Sequence, residues 1–395
     1  MSRTRRRALL TTVIPLVAAL AACGGPSPTG SSGTTSPQPS ATESGKPPAP
    51  SGSETTGHPV GTLTMVVADE LRMRDAPGTG AELVAGLERG DVVEIVSGPV
   101  DADEFRWYEA RDIAGNQGWL ADGDGSDAWL STLPGWGEGD PLLSFEYGCD
   151  VTGPFQGPST LIFGDGRVLH NVGGAGEWRI RTLAADGLAR VQSDLLGSPH
   201  LQASAEYRPV GRADAGEPPG HGLCLFTFTI ANEGEPIEVT SVSWFGDAEE
   251  AEFYEPSPER KALDAIARNL MDINSVLGEA SWEPAGWLPL IPNEYLLGIG
   301  PGQGPPPDEI VVVEPEALGL GDLETFGEPS GGGRCGVIAR EQAFALARAL
   351  NTAGAEPNVP LTASVSMAFQ TDDGWAYVSL YPLVPGSPAC EAVGF

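Results

Sequence analysis

Lysine and histidine are scarce in this chain of 395 residues, and positive charge is scarce as a whole. Lys46 and Lys261 are the only lysines; 22 lysines and arginines face 54 aspartates and glutamates, which leaves a formal net charge of −32. Nucleic-acid phosphates repel so acidic a protein, because affinity for them comes largely from lysine and arginine contacts. We therefore expect no nucleic-acid partner.

The short patterns that mark common catalytic sites are also missing. No serine lies in a Gly-x-Ser-x-Gly turn, no His-Glu-x-x-His motif occurs, and the glycine-rich segment 298–304 has Gln303 where a dinucleotide site needs its third glycine. The four histidines are far apart in sequence. The sequence thus assigns no catalytic residue, no metal site and no cofactor. It favours a non-enzymatic protein, although a pair of glycosidase carboxylates would leave no sequence signature.

Cysteines number only five, and none belongs to a Cys-x-x-Cys pair, which argues against zinc or thioredoxin-like chemistry. Cys23 stands apart, whereas Cys149, Cys224, Cys335 and Cys390 lie in the predicted folded part. An even set of cysteines outside the cytoplasm predicts disulfides. Of the three possible connectivities we favour Cys149–Cys224 and Cys335–Cys390, because each bridge then closes within one half of the C-terminal region.

The N-terminus carries an export signal. Four arginines within residues 3–7 precede the uncharged apolar run 8–22, which is shorter than the roughly 20 residues of a membrane span. Leu20-Ala21-Ala22-Cys23 resembles the lipobox of bacterial lipoproteins. The resemblance implies that residues 1–22 are removed, and that an acylated Cys23 holds the protein in the lipid bilayer. The protein would then lie on the outer face of the cytoplasmic membrane, facing the cell wall. Arg6-Arg7 also resembles a twin-arginine signal, so the export route stays open.

Residues 23–60 consist mainly of Ser, Thr, Pro and Gly. With so little apolar surface to bury, such a segment cannot offset the entropy lost on ordering. We expect a disordered tether between the anchored cysteine and the folded part.

Residues 61–133 predict a small all-β barrel. Short β-rich runs at 63–67, 82–87, 92–96, 107–110 and 118–121 alternate with turn residues. The stretch Leu71-Arg72-Met73-Arg74-Asp75-Ala76-Pro77-Gly78-Thr79 resembles the opening of bacterial SH3-like domains. Leu83–Gly90, Trp107-Tyr108 and Gly118-Trp119-Leu120 resemble later segments of the same family. The acidic insertion Gly98–Glu104 departs from the family pattern, and we expect it to lengthen one loop.

The resemblance implies a binding module for peptidoglycan peptides or protein ligands. It nominates Asp75, Trp107, Tyr108 and Trp119 as residues of a binding groove. Both tryptophans lie in predicted strands and could instead belong to the core, since aromatic side chains dominate protein cores. Strand alternation favours Tyr108 as the residue at the surface.

The C-terminal region predicts an α+β fold in two halves, residues 141–282 and 283–395. Each half contains strands, then a helix, then a hairpin, with a cysteine pair, which suggests a duplicated unit. Ser257 and Pro258 have the residue types of a helix N-cap and first turn, and a second helix is predicted around Ala343–Leu350. Strands are expected at 295–299 and 309–313. The region also resembles uncharacterised exported actinobacterial domains, which implies no activity. The matching stretches are Gly164-Asp165-Gly166-Arg167-Val168-Leu169, Gly333-Arg334-Cys335-Gly336-Val337 and Asp373-Gly374-Trp375-Ala376-Tyr377.

Three functions remain open at this point. The favoured one is an anchored, non-enzymatic lipoprotein that binds cell-wall peptide or an envelope protein through its barrel. A cell-wall hydrolase would need a cleft holding a carboxyl group of raised pKa. A small-molecule sensor would need an enclosed apolar pocket.

Overall fold

A computed structural model describes residues 57–135, 139–149, 158–172, 177–216, 223–244, 251–302, 326–330, 332–355, 359–371, 374–387 and 389–390. These residues are rich in β-structure and form sheets of seven, eight and five strands. Within the same ranges, every helix is too short or too polar to cross a membrane. Cys23, nearly all of the predicted tether and the strand predicted at 309–313 lie outside the described residues.

The first sheet is antiparallel and curls around its own apolar core. Its strands are β1 Leu63–Val66, β2 Glu70–Arg74, β3 Leu83–Glu88, β4 Val92–Ala102, β5 Phe105–Asp112, β6 Gln117–Ala121 and β7 Leu130–Thr132. They are ordered β3-β2-β6-β5-β4-β1-β7. Alternating side chains meet inside, with Met73, Ile95, Tyr108 and Leu120 almost fully buried. We call this sheet the barrel.

The acidic insertion Gly98–Glu104 is mainly strand, so the prediction of a lengthened loop is wrong. β4 continues through it to Ala102, and Asp103 and Glu104 form the hairpin turn with φ of 49° and 70°. Cross-strand pairing of Asp101 with Arg106 continues to the tip of the hairpin. The pairing satisfies backbone groups that a loop would leave to solvent, which favours the longer strands.

The second sheet has eight strands, and every strand contact in it is antiparallel except β12 with β14. The strands are β8 Leu143–Cys149, β9 Thr160–Ile162, β10 Arg167–Val172, β11 Glu177–Thr182, β12 Ala205–Tyr207, β13 Leu223–Ile230, β14 Ile237–Trp244 and β15 Leu288–Pro289. Their order is β12-β14-β13-β8-β9-β10-β11-β15. β15 lies beyond the boundary predicted at residue 283 and nevertheless pairs with β11.

Helices cover one face of this sheet. They are α1 Ala185–Arg190, which continues as a π-helical turn over Val191–Leu195, α2 Pro258–Met271 and α3 Ile273–Leu277. Leu263, Ala267 and Leu270 of α2 are fully buried against the sheet. The Ser257 hydroxyl accepts a hydrogen bond from the Arg260 amide at 3.2 Å, so the predicted N-cap is confirmed.

The third sheet packs one face against a single long helix. Its strands are β16 Glu294–Pro301, β17 Glu328–Ser330, β18 Gly333–Ala339, β19 Val365–Thr371 and β20 Gly374–Pro382, in the order β17-β18-β16-β20-β19. The helix is α4 Arg340–Thr352, which contains the apolar stripe predicted around 343–350. Phe344, Leu346 and Ala347 of α4 are buried against β16 and β20.

One of the two favoured disulfides is present among the described side chains. Cys335 and Cys390 form a disulfide with a Cα–Cα distance of 5.6 Å. Cys224 is also disulfide-bonded, and Cys149 stands opposite it in the register of β8 with β13. Cys335 lies in β18 of the five-stranded sheet, whereas Cys149 and Cys224 lie in β8 and β13 of the eight-stranded sheet.

The repeated order of elements does not extend to the strand pairing. In the eight-stranded sheet, β8 pairs with β13, the first strand of its hairpin. In the five-stranded sheet, the corresponding β16 pairs with β20, the second strand of its hairpin. A duplicated unit would keep the same neighbour in both halves, so the shared element order is not matched by a shared topology.

The barrel packs directly on α4. Leu63, Met65 and Val92 point away from the barrel core and join Phe344 and Leu350 in one apolar cluster. β1 is accordingly buried on both of its faces.

Polar contacts reinforce this junction. Glu94 of β4 forms an ion pair with Arg348 of α4 at 2.5 Å, and the Asn351 amide donates to the carbonyl of Ile113 at 3.2 Å. Gly90 also lies against Pro289, where a Cβ would come within 2.4 Å of the proline ring. The barrel is thus joined to both C-terminal sheets.

Candidate functional site

A groove opens on the barrel where two strands part. β2 and β6 share the single register pair Arg74 with Trp119, so the rest of β2 has no strand partner on that side. A concavity of about 430 Å³ lies beside this part of β2. Its lining residues are Ala68, Glu70, Leu71, Arg72, Arg74, Thr79, Phe105, Trp107, Ala121 and Trp129. We call it the barrel groove.

Three aromatic rings form the apolar part of the groove. Phe105 lies 5.5 Å from Trp129 and 6.4 Å from Trp107, measured between ring centroids. The Trp107 indole N–H donates to the Ala102 carbonyl at 2.9 Å, and that side chain is almost fully buried. Phe105 and Trp129 are partly exposed, so they offer most of the aromatic surface to a ligand.

Arginine side chains give the groove a positive character that is unusual in so acidic a chain. The Arg74 guanidinium donates to the Ala81 carbonyl at 2.6 Å, which holds it in place. Arg72 pairs with Glu70 at 3.5 Å, but both side chains are mostly exposed. Such exposed pairs contribute little, so Arg72 can exchange its partner for a ligand carboxylate at small cost.

The tip of the β4–β5 hairpin is fastened to the loop that borders the groove. The Asp103 carboxylate accepts hydrogen bonds from the Thr79 amide at 2.9 Å and from the Thr79 hydroxyl at 3.0 Å. These bonds stabilise the charged carboxylate and hold the pKa of Asp103 below its usual value. Since the folded-state pKa is lowered, the contact is kept at neutral pH and lost only as the pH falls through it.

Of the four groove residues nominated by the sequence, only Trp107 lines the groove. Tyr108 is fully buried in the barrel core, so the prediction that strand alternation turns it to the surface is wrong. The irregular register of β4 with β5 changes the alternation here, and Trp107 and Tyr108 are both enclosed. Trp119 is partly exposed but lies outside the groove lining, beside Arg74 and Glu109.

Asp75 has a local structural role. Its carboxylate accepts a hydrogen bond from the Glu82 amide at 2.9 Å, and its own amide donates to the Glu82 carbonyl. These contacts close the 75–82 loop, which in turn presents Thr79 to the groove.

Phe105 and Trp129 are the aromatic groove residues that the sequence did not nominate. Phe105 follows the acidic insertion directly, and its two-residue spacing from Trp107 was a signal that both rings share one face of a strand. Trp129 follows the acidic turn 122–127 and belongs to no predicted strand. It reaches the groove through tertiary contacts, which no local pattern encodes.

Carboxyl groups of raised pKa occur away from the groove. Burial raises the pKa of Asp91, Asp122 and Glu146, and in Glu146 the negative charge of Glu238 adds to the effect. None of these carboxyls lines the barrel groove. Among the described residues, no group of three or more His, Cys, Asp or Glu side chains could hold a metal ion.

The comparisons with known proteins assign the barrel alone. The family model of the bacterial SH3 domain matches residues 67–124, which cover β2 to β6 and most of the groove lining. No match was found among curated proteins or among solved structures. The two C-terminal sheets lie outside the matched segment.

Proposed function

We propose that this protein is a membrane-anchored, extracytoplasmic binding protein whose barrel groove takes a peptide of the cell wall or of an envelope protein. The observation that carries the proposal is the aromatic and arginine-lined groove inside a bacterial SH3 domain. Members of that family commonly bind such ligands, and a concave site with few polar groups is typical of ligand binding.

The chemistry of the groove suits a peptide. The Phe105 and Trp129 rings can cover apolar side chains, and the Arg72 guanidinium can bind a carboxylate. Because the barrel packs on α4 through Met65 and Glu94, the groove is held in a fixed position relative to the C-terminal sheets. We infer that these α+β sheets support the barrel as a non-enzymatic scaffold.

The groove proposal predicts a specific loss of binding in Trp129→Ala. The measurement is co-sedimentation with purified peptidoglycan sacculi of the mature chain without its acylated Cys23, residues 24–395. We expect the affinity to fall about thirtyfold, which corresponds to the ~2 kcal/mol that a central aromatic residue contributes. Trp119→Ala is the matched control, since it removes the same side chain from the same barrel outside the groove.

Equal binding by wild type and Trp129→Ala would contradict the groove assignment. If wild type fails to bind sacculi, the cell-wall ligand is wrong, and an envelope protein becomes the target for cross-linking through the groove. Release of muropeptides from the sacculi would replace this proposal with a cell-wall hydrolase.

The anchor is supported by the basic and apolar segment before Cys23 and by its similarity to a lipobox. We expect Cys23→Ala to move the protein from the membrane fraction to the soluble exported fraction, because the acyl chains are its only membrane attachment under this proposal. Cell fractionation with immunoblotting measures this, and Ser53→Ala in the tether serves as control. A variant that stays with the membrane would show that something other than Cys23 holds it.

A further inference from the structure

A second set of side chains forms a rigid, partly exposed aromatic surface far from the barrel groove in sequence. Trp287 lies 5.2 Å from Trp282 and 6.0 Å from His170, measured between ring centroids. The Arg181 guanidinium lies 4.9 Å from the Trp282 ring, and its side chain is only 4% exposed. We call Trp287, His170 and Asn274 the tryptophan platform, with Trp282 and Arg181 as its support.

The hydrogen bonds of His170 determine which ring nitrogen carries the proton. The Thr160 hydroxyl lies 3.0 Å from the Leu270 carbonyl and 2.9 Å from His170 Nδ1. Since a carbonyl can only accept, both contacts are hydrogen bonds only when Thr160 donates its one proton to Leu270 and Nδ1–H of His170 donates to Thr160, and we assign this tautomer. Nε2 therefore has the free lone pair in the neutral ring.

The neutral ring is the form expected at neutral pH. Burial lowers the pKa of His170, and the opposing effect of the Asp272 carboxylate is smaller. Among the described residues, Nε2 has no hydrogen-bond partner, and the side chain is partly exposed. His170 is thus a preoriented acceptor beside the Trp287 ring.

Asn274 supplies donors on another edge of the same ring. Its side-chain oxygen accepts from Arg181 at 3.0 Å and from the Trp287 indole N–H at 3.4 Å. Both contacts fix the amide plane and leave the Nδ2 group, with two N–H donors, for another partner. Asn274 is exposed, so those donors are accessible to a ligand.

No charged group of the platform needs a counterion. Arg181 forms an ion pair with Glu279, and its position over Trp282 keeps it below the surface. The accessible groups are an aromatic ring, a neutral acceptor and an amide donor. The exposed Asp272 carboxylate near His170 would repel an anionic ligand, whereas a ring bearing hydroxyl groups would find partners for both donors and acceptors.

We propose that the tryptophan platform binds a neutral sugar ring, with the sugar packed on Trp287, one hydroxyl donating to His170 Nε2 and another accepting from Asn274 Nδ2. The site is independent of the barrel groove and requires no ligand there. Its fixed geometry lowers the ordering cost of binding, because the side chains are already held by Thr160, Arg181 and Trp282.

The test titrates the mature chain with two neutral probes, chitotetraose and maltotetraose, followed by saturation-transfer NMR and tryptophan fluorescence. We expect at least one sugar to bind, and Trp287→Ala to weaken its binding about tenfold or more. Asn274→Asp keeps the side-chain oxygen that accepts from Arg181 and removes the two Nδ2 donors, so it should also weaken sugar binding. Because Asn274 is exposed, we expect this variant to fold as wild type does. Trp129→Ala, in the barrel groove, should bind the sugar as wild type does.

Each remaining outcome would overturn the proposal. It fails if neither probe binds, or if Trp287→Ala and Asn274→Asp both bind as wild type does. It also fails if Trp129→Ala alone abolishes sugar binding, since the sugar would then occupy the barrel groove. Unfolding curves of each variant separate a lost contact from a lost fold, and Asn274→Asp decides the question if Trp287→Ala is unfolded.

Discussion

Met65→Ala will lower the free energy of unfolding by about 2–5 kcal/mol, and the barrel and the five-stranded sheet will lose stability together. Met65 is fully buried and belongs to the cluster that joins β1 to Phe344 and Leu350 of α4. Truncation removes apolar surface from both sides of this junction and leaves a cavity that packed neighbours fill only partly.

Urea unfolding measures the effect, with tryptophan fluorescence and far-UV circular dichroism recorded on the same samples. Leu83→Ala is the control, because this β3 side chain is 60% exposed and its loss should change stability by less than about 0.5 kcal/mol. Two results would show that the barrel is an independent unit: an unchanged free energy of unfolding in Met65→Ala, or a barrel unfolding transition that shifts to lower urea without the five-stranded sheet.

Cys390→Ser will cost about 4 kcal/mol of stability, because it removes the disulfide to Cys335. The bridge closes a loop of 55 residues in sequence separation, and a constraint of that length removes many conformations from the unfolded chain. Cys335 is fully buried beside Leu296 and Tyr381, so serine is better placed at the partly exposed Cys390.

The comparison is made without reductant, so that the disulfide of Cys224 stays intact in both proteins. Ser387→Ala serves as a control for the same C-terminal segment. If Cys390→Ser lowers the free energy of unfolding by less than about 1 kcal/mol, the disulfide contributes no more to stability than a typical surface substitution removes.

Local patterns predicted much of the fold, because many elements are determined by nearby residues. The N-cap at Ser257, the apolar stripe of α4 and the β13–β14 hairpin all follow from spacing and turn residues. β11 was missed: its Glu-Trp-Arg-Ile-Arg-Thr sequence puts charge on a buried face. Arg181 is tolerated there because Asn274 and Glu279, both distant in sequence, bind its guanidinium.

The groove was only partly predictable for the same reason. The bacterial SH3 resemblance located the module, and the family match agrees with it. The prediction from strand alternation was wrong for Tyr108, because the irregular register of β4 with β5 buries both Trp107 and Tyr108. Trp129 and Thr79 join the groove through contacts between separate segments, which a single sequence does not specify.

The most direct test of the groove as the binding site is hydrogen–deuterium exchange of the mature chain with and without soluble muropeptides. We expect slower exchange in peptides that cover 68–79 and 105–129, with no change in α4 or in the eight-stranded sheet. Protection confined to the C-terminal sheets, with the barrel unaffected, would contradict it and move the ligand away from the SH3 domain.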